Sequence, residues 1–350
     1  MAGKRPASSA ASVAVPDLAE RLSIAGAPWL LPTRQQLQAA WHSGRFPHAL
    51  LLVGRAGVGQ SELALWAAQM ALCEAGDGRP CGRCGSCVLF LAGNHPDLHR
   101  VTLEDDSRVV KVDQVRALSS VLAMRSYRGG YQIGIMDPAD ALNTNAFNAL
   151  LKTLEEPSEN TLLILVVSRP GALPATIVSR CMRLRVPLPP AAMAAEWLGQ
   201  EQPRQDWGQV LALANGAPLA ARALVASGAA DLGPALAREL AGVGSPGFDP
   251  WRLAEGWCKD RPGERLLWLE HWITGWLREA LAAGDAVNNN RASGLPRAAA
   301  STNMGPVFAF LDQLRAARSA IEGPLNTQLL LEDLLVAMGE AFAAVQGRTG

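Results

Sequence analysis

The run Ala49-Leu50-Leu51-Leu52-Val53 leads directly into Gly54-Arg55-Ala56-Gly57-Val58-Gly59-Gln60-Ser61. Five apolar residues stopped by a glycine predict a buried strand, and helix formers follow the loop. Strand, G-x-x-x-x-G-K-[ST] loop and helix together make a phosphate cradle, in which glycines let backbone N–H groups curl round the anion. The lysine position holds Gln60, whereas Ser61 keeps the hydroxyl that would touch a magnesium ion. A unit-charge pair at about 4 Å is worth roughly 4 kcal/mol at an effective dielectric of about 20, so a neutral amide forfeits most of the grip on phosphate. Gly54, Gly57, Gly59, Gln60 and Ser61 therefore read as a degenerate nucleotide site.

The other half of such a site is an apolar strand ending in an acid. Ile133-Gly134-Ile135-Met136-Asp137 supplies it, and Asp137 is the candidate magnesium ligand. A working ATPase of this kind usually follows that acid with a glutamate that orients the attacking water. Here Pro138 follows, with neither an acid nor an N–H. Two independent losses predict a site that does not hydrolyse ATP, and binding of ATP and magnesium that is weak or absent.

Outward from this pair, strands are predicted at 49–53, 98–101, 132–136, 161–167 and 182–186, separated by helix-length segments. That pattern means a parallel α/β sheet. Pro187, Pro189 and Pro190 then break the chain, and almost no strand signal follows. Residues 1–19 read as a loose tail, 20–188 as the α/β domain, 189–235 as a small helical domain and 236–350 as a helical C-terminal domain. Trp268, Trp272 and Trp276 fall four apart beside Leu269, Ile273 and Leu277, a stripe wide enough to be helix core. Residues 288–306 read as a loop. Lys+Arg 32 against Asp+Glu 32 leaves no bulk charge for wrapping on nucleic acid, although a local basic patch stays open. No membrane-length apolar run and no secretory leader are read, so a cytoplasmic protein is expected.

Cys73, Cys81, Cys84 and Cys87 lie within fifteen residues. Cys81-x-x-Cys84-x-x-Cys87 brings three thiolates together on a turn with Gly82 and Gly85, and Cys73 comes from the end of the preceding helix. Four thiolates suit a closed, structural zinc; an iron–sulfur cluster is the other metal that spacing permits. The Pro80-Cys81-x-x-Cys84 run matches half of a deaminase signature, but neither His42 nor His48 stands in the required H-x-E, so the metal is not catalytic. Cys181 and Cys258 read as small core residues.

Further motifs follow in order: Phe46-Pro47-His48-Ala49-Leu50, Val112-Asp113-Gln114-Val115-Arg116, Asn148-Ala149-Leu150-Leu151-Lys152-Thr153-Leu154-Glu155-Glu156-Pro157 and Leu173-Pro174-Ala175-Thr176-Ile177-Val178-Ser179-Arg180-Cys181. With the loop and the cysteines, they resemble the bacterial AAA+ clamp-loader family over about residues 46 to 186. Gln60 and Pro138 set the chain apart from the family's ATPase subunits, gamma and tau. The resemblance implies an AAA+ P-loop domain with a helical lid and a helical collar domain. It also implies a heteropentamer that uses ATP to load a sliding clamp on primed DNA. Within it this chain would be a non-hydrolysing stator beside gamma/tau and delta, part of the DNA-directed DNA polymerase holoenzyme. Ser168 falls at the family's phosphate-sensing position, and Ala220 where active members often carry a sensing arginine. Arg180 would be an arginine finger acting in trans on a neighbour's ATP; the plainer reading makes it a surface salt-bridge partner. The competing functions are an active gamma/tau-like ATPase with a divergent loop and a zinc-dependent nucleic-acid-binding module.

Overall fold

The computed structural model describes residues 18–104, 107, 109–282, 303–321 and 325–345. Most of the predicted tail and of the loop read at 288–306 lie outside them. The chain divides into two compact units: residues up to 201 with 217–220, and 202–216 with 221 onward.

The first unit is built on five parallel strands, β1 (Ala49–Val53), β2 (Leu98–Val101), β3 (Gln132–Met136), β4 (Thr161–Val167) and β5 (Met182–Arg185). They lie in the order β2-β3-β4-β1-β5. The central strands β1, β3 and β4 are buried at every position. A parallel sheet covered on both faces demands such runs, which is why they were readable without alternation. Helices α1 (Leu18–Ile24), α2 (Leu31–His42), α3 (Gln60–Leu72), α4 (Gly85–Leu91), α5 (Val112–Leu122), α6 (Thr144–Glu155), α7 (Ala175–Val178) and α8 (Ala191–Glu201) fill the connections and flanks. Leu50, Leu52, Ile133, Ile135 and Ile164 face the core that includes α3, and Leu51, Met136, Leu163 and Leu165 face the core that includes α5 and α6. The loop after β1, the acid after β3 and Ser168 after β4 thus share one end of three adjacent strands, where open α/β sheets place ligands.

The second unit is helical: α9 (Trp207–Leu213), most of α10 (Pro218–Ala226), α11 (Gly233–Glu239), α12 (Pro250–Lys259), α13 (Pro262–Ala282), α14 (Gly305–Ala320) and α15 (Thr327–Val345). Asn215 and Gly216, both at positive φ, make the turn before α10. Trp268, Trp272 and Trp276 are at most 5% exposed and join Phe310, Leu335 and Phe342 in one core, so the tryptophan stripe is interior to this chain. Arg265 is held there by Glu239 at 2.8 Å and Asp260 at 2.7 Å. Among the described residues no single helix is long and apolar enough to cross a membrane.

Candidate functional site: a closed phosphate loop and a four-cysteine knuckle

The loop has the glycine conformations that a phosphate cradle needs, and other parts of the chain pack against two of those glycines. Gly57 and Gly59 sit at φ +81° and +102°. A Cβ on Gly57 would lie 2.7 Å from the Cβ and backbone N of Ala220; one on Gly59 would lie 2.9 Å from a Leu30 methyl. The Gly57 carbonyl accepts the Leu219 N–H at 2.9 Å, and the Val58 carbonyl accepts the Trp29 indole N–H at 2.8 Å. Ala220 is therefore packed onto the loop.

Gln60 opens α3 and is buried. Its amide Nε2 donates to Ser168 Oγ at 3.1 Å and to the Gly54 carbonyl at 3.4 Å, so the predicted sensing serine is bound to the residue replacing the lysine. Gln60 Oε1 is buried and accepts no hydrogen bond from the described residues. The Asp137 carboxyl is pushed above its ordinary range by burial, which outweighs the hydrogen bond from Ser61 and the field of Arg21. Arg21 donates twice to Glu62, at 2.9 and 3.0 Å, and Arg100 also acts on Asp137. Arg21 and Arg100 balance Glu62 and Asp137 in charge, and the neutral Gln60 adds no cation to meet the negative charge that a magnesium triphosphate would bring. The donor set does not fit a magnesium nucleotide. Trp29, Leu30, Arg21 and Arg100 were missed from sequence; none carries a local signal of this role.

Arg180 follows α7 and precedes β5, as predicted. It pairs with Glu155, the last residue of α6, at 2.8 Å and donates to the Thr176 carbonyl at 2.9 Å. Two motifs of the chain thus meet in one ion pair. The Arg180 and Glu155 side chains are 37% and 49% exposed, and such pairs contribute at most about 1 kcal/mol, so the guanidinium is cheaply released.

At the far end of α3 the four cysteines converge: their Sγ atoms all lie within 4.8 Å of one another, with Cys73 and Cys84 3.9 Å apart. Tetrahedral zinc with bonds of about 2.3 Å sets sulfurs about 3.8 Å apart, so the donors fit it. Cys73 caps α3, Cys84 caps α4, and Cys87 lies in the first turn of α4. Backbone N–H groups of Arg83 and Cys84 hold the Cys81 thiol down at about 6. Burial would raise Cys84, but the N–H groups of Glu74 and Cys87 bring it below its ordinary value. Burial pushes the Cys73 and Cys87 thiols up. A cation is what lets all four ionise together.

A polar network beneath this knuckle also escaped the sequence. Ser86 Oγ receives His95 Nε2 at 3.0 Å and Arg128 Nε at 3.2 Å, and donates to Glu74 Oε1 at 3.2 Å. His95 Nδ1 accepts the Asp97 N–H at 3.2 Å, which places the ring proton on Nε2. Asp97 is fully buried and accepts from Ser126 Oγ and the N–H groups of Tyr127 and Arg128. These bonds tie the knuckle to the turn before β3.

Strand order, loop and acid define an AAA+ type of P-loop domain, here with its loop closed. A family model described as DNA polymerase III, delta subunit, matches residues 32–189. The DNA polymerase III subunit delta' of Pseudomonas aeruginosa is 34% identical over 316 residues, 85% of this chain and 95% of its own. The chain belongs to the DNA polymerase III subunit delta' family. The DNA polymerase III subunit tau of Escherichia coli is 36% identical over 144 residues, 41% of this chain and 22% of its own. Among solved structures, a DNA polymerase III gamma subunit-related protein of Thermotoga maritima aligns over 87% of this chain and 99% of its own, at 19% identity and TM-score 0.43.

Proposed function

We propose that this chain is the non-hydrolysing stator of a DNA polymerase III clamp loader, assembled with gamma/tau and delta, which opens a sliding clamp and loads it on primed DNA. The observation that carries the reading is the closure of the phosphate loop by Ala220, Leu219 and Trp29, with Gln60 bound to Ser168. A rigid, nucleotide-free domain is what a reference subunit requires. The likeness to subunit delta' covers 85% of the chain, whereas that to tau stops at 41% of it, which weighs against the ATPase alternative. In this reading residues 189–235 are the lid and 236–350 the collar domain.

Arg180 exchanges Glu155 for phosphate oxygens of ATP held by the neighbouring ATPase subunit. Its planar cation can balance charge on a departing γ-phosphoryl group, a role worth roughly 10³–10⁵ in rate where one arginine has been isolated. Zinc on Cys73, Cys81, Cys84 and Cys87 supplies structure and no chemistry. The test is to mix the chain with the ATPase subunits and delta and to measure DNA-stimulated ATP hydrolysis and clamp loading. Loading should require this chain, while the chain alone hydrolyses nothing. Hydrolysis by the chain alone, lost in Asp137→Ala, would establish the gamma/tau-like alternative instead.

A further inference from the structure

Strand β5 lies at one border of the sheet, and its free edge and α2 wall a groove of about 920 Å³. The floor is made small by Ala39 and Ala40. Strand β5 runs parallel to β1, with Leu184 opposite Leu52, and the Val186 N–H donates to the Val53 carbonyl at 2.8 Å. In a parallel ladder alternate residues send both backbone groups to the same side. Met182, Leu184 and Val186 therefore serve β1, and Arg183 and Arg185 turn their N–H and C=O groups outward. The Thr33 hydroxyl takes the Arg185 carbonyl at 3.4 Å. Among the described residues, the Arg183 N–H, the Arg183 carbonyl and the Arg185 N–H have no partner and face an incoming strand.

The groove is also basic. Arg45, Arg183 and Arg185 line it, and it has no acidic lining residue. All three are exposed and, among the described residues, none is in an ion pair; Arg45 Nε reaches only Ser43 Oγ, at 3.4 Å. Charges on a sheet edge commonly guard it against pairing. Against a second copy these three arginines do so, because the copy brings three more. The chain's own longer undescribed segments do not complement them either: 1–17 carries Lys4 and Arg5 against Asp17, and 283–302 carries Arg291 and Arg297 against Asp285, while the acidic Asp105, Asp106 and Glu322 lie in gaps of at most three residues, too short to add as a strand. A nucleic-acid backbone would satisfy the guanidinium groups, but its phosphates have no N–H to give the Arg183 carbonyl.

We propose that the groove between α2 and β5 docks an extended acidic segment of a partner protein, which adds as a strand to β5 while its carboxylates pair with Arg45, Arg183 and Arg185. The inference stands apart from the stator reading, since neither the phosphate loop nor Arg180 enters it. The test uses the full zinc-loaded chain and a fluorescein-labelled peptide of alternating glutamate and valine, followed by fluorescence anisotropy. The glutamate peptide should bind at least about tenfold more tightly than the same peptide with glutamine, a difference of about one charge-assisted contact. N-methylation of alternate peptide amides should weaken it by a similar factor. The double variant Arg183→Glu with Arg185→Glu should abolish binding. Arg45→Glu, in the turn outside the sheet, should weaken it about tenfold, and it decides the matter should the double variant lose its circular-dichroism spectrum. Equal binding of the glutamine peptide, or Arg45→Glu without effect, would overturn the docking site. N-methylation without effect, together with displacement of the peptide by oligothymidylate, would assign the groove to nucleic acid instead.

Discussion

Helix α3 has a different site at each end. At its first residue, Gln60, a phosphate loop has turned its groups inward: its carbonyls, its glycine hollows and its sensing serine are taken by the protein. Just past its last turn, Cys73 joins three other thiols that are ringed by N–H donors but balanced by no cation of their own. The loop keeps the backbone shape of a ligand site and has lost the fixed cation that would grip a phosphate. The knuckle has the reverse: donors close enough to share one ion, and two buried thiols that an ion would let ionise. A binding motif therefore has to be judged by which of its polar groups remain unsatisfied, as well as by the residues that spell it.

The largest expected effect lies at the knuckle. The purified chain should carry about one zinc, and Cys84→Ser should lose it and on the order of 3 kcal/mol or more of stability, read by metal analysis and chemical denaturation. Iron with visible charge-transfer absorption would replace the zinc assignment. Next comes the loop. Gly57→Ala places a Cβ 2.7 Å from Ala220 at a positive φ, and should cost roughly 2 kcal/mol in the absence of any ligand. The positive φ alone strains an alanine, so a cost no greater than that of Gly44→Ala, at φ +65° with nothing within 4 Å of the added Cβ, would break the contrast.

A smaller effect, of opposite sign, is expected at Asp137. Burial raises its carboxyl, so the stability it contributes is fully present below the unfolded value near 3.8 and is lost as pH rises through the higher folded value. Asp137→Asn should therefore leave the protein as stable or up to about 1 kcal/mol more stable at neutral pH, with the difference vanishing in acid. A marked loss of stability at neutral pH would mean that the Ser61 hydroxyl and the two arginines outweigh the burial of the carboxylate. The smallest change in stability belongs to Arg180→Ala, which removes an exposed ion pair and should shift unfolding by less than about 1 kcal/mol. The reconstituted assembly should still form with this variant but load clamps more slowly. Arg180→Lys should rescue poorly, because a point charge lacks the bidentate fork. Unmodified loading by Arg180→Ala would leave Arg180 as Glu155's partner and nothing more.

What the sequence discloses follows from how local each signal is. Strands β1, β3 and β4 are continuous apolar runs because both sheet faces are covered, and β5 was readable from Leu184 alternating with arginines. The tryptophan stripe and the cysteine spacing are likewise properties of one helix or one turn. The loss of the lysine was plain at Gln60, but the closure of the loop was not. It depends on Trp29 and Leu30 from before β1 and on Leu219 and Ala220 from far beyond β5, ordinary residues whose meaning comes only from where the fold carries them. The same holds for Glu155 meeting Arg180, and for Arg21 and Arg100 balancing Glu62 and Asp137.

Isothermal titration of magnesium-ATP into the full, zinc-loaded chain bears most directly on the closed loop. The account predicts no saturable heat at concentrations up to the millimolar range, and no recovery of hydrolysis on Gln60→Lys alone, since Pro138 still leaves the attacking water unpositioned and Ala220 still covers Gly57. A dissociation constant in the micromolar range or tighter for the unmodified chain would contradict it.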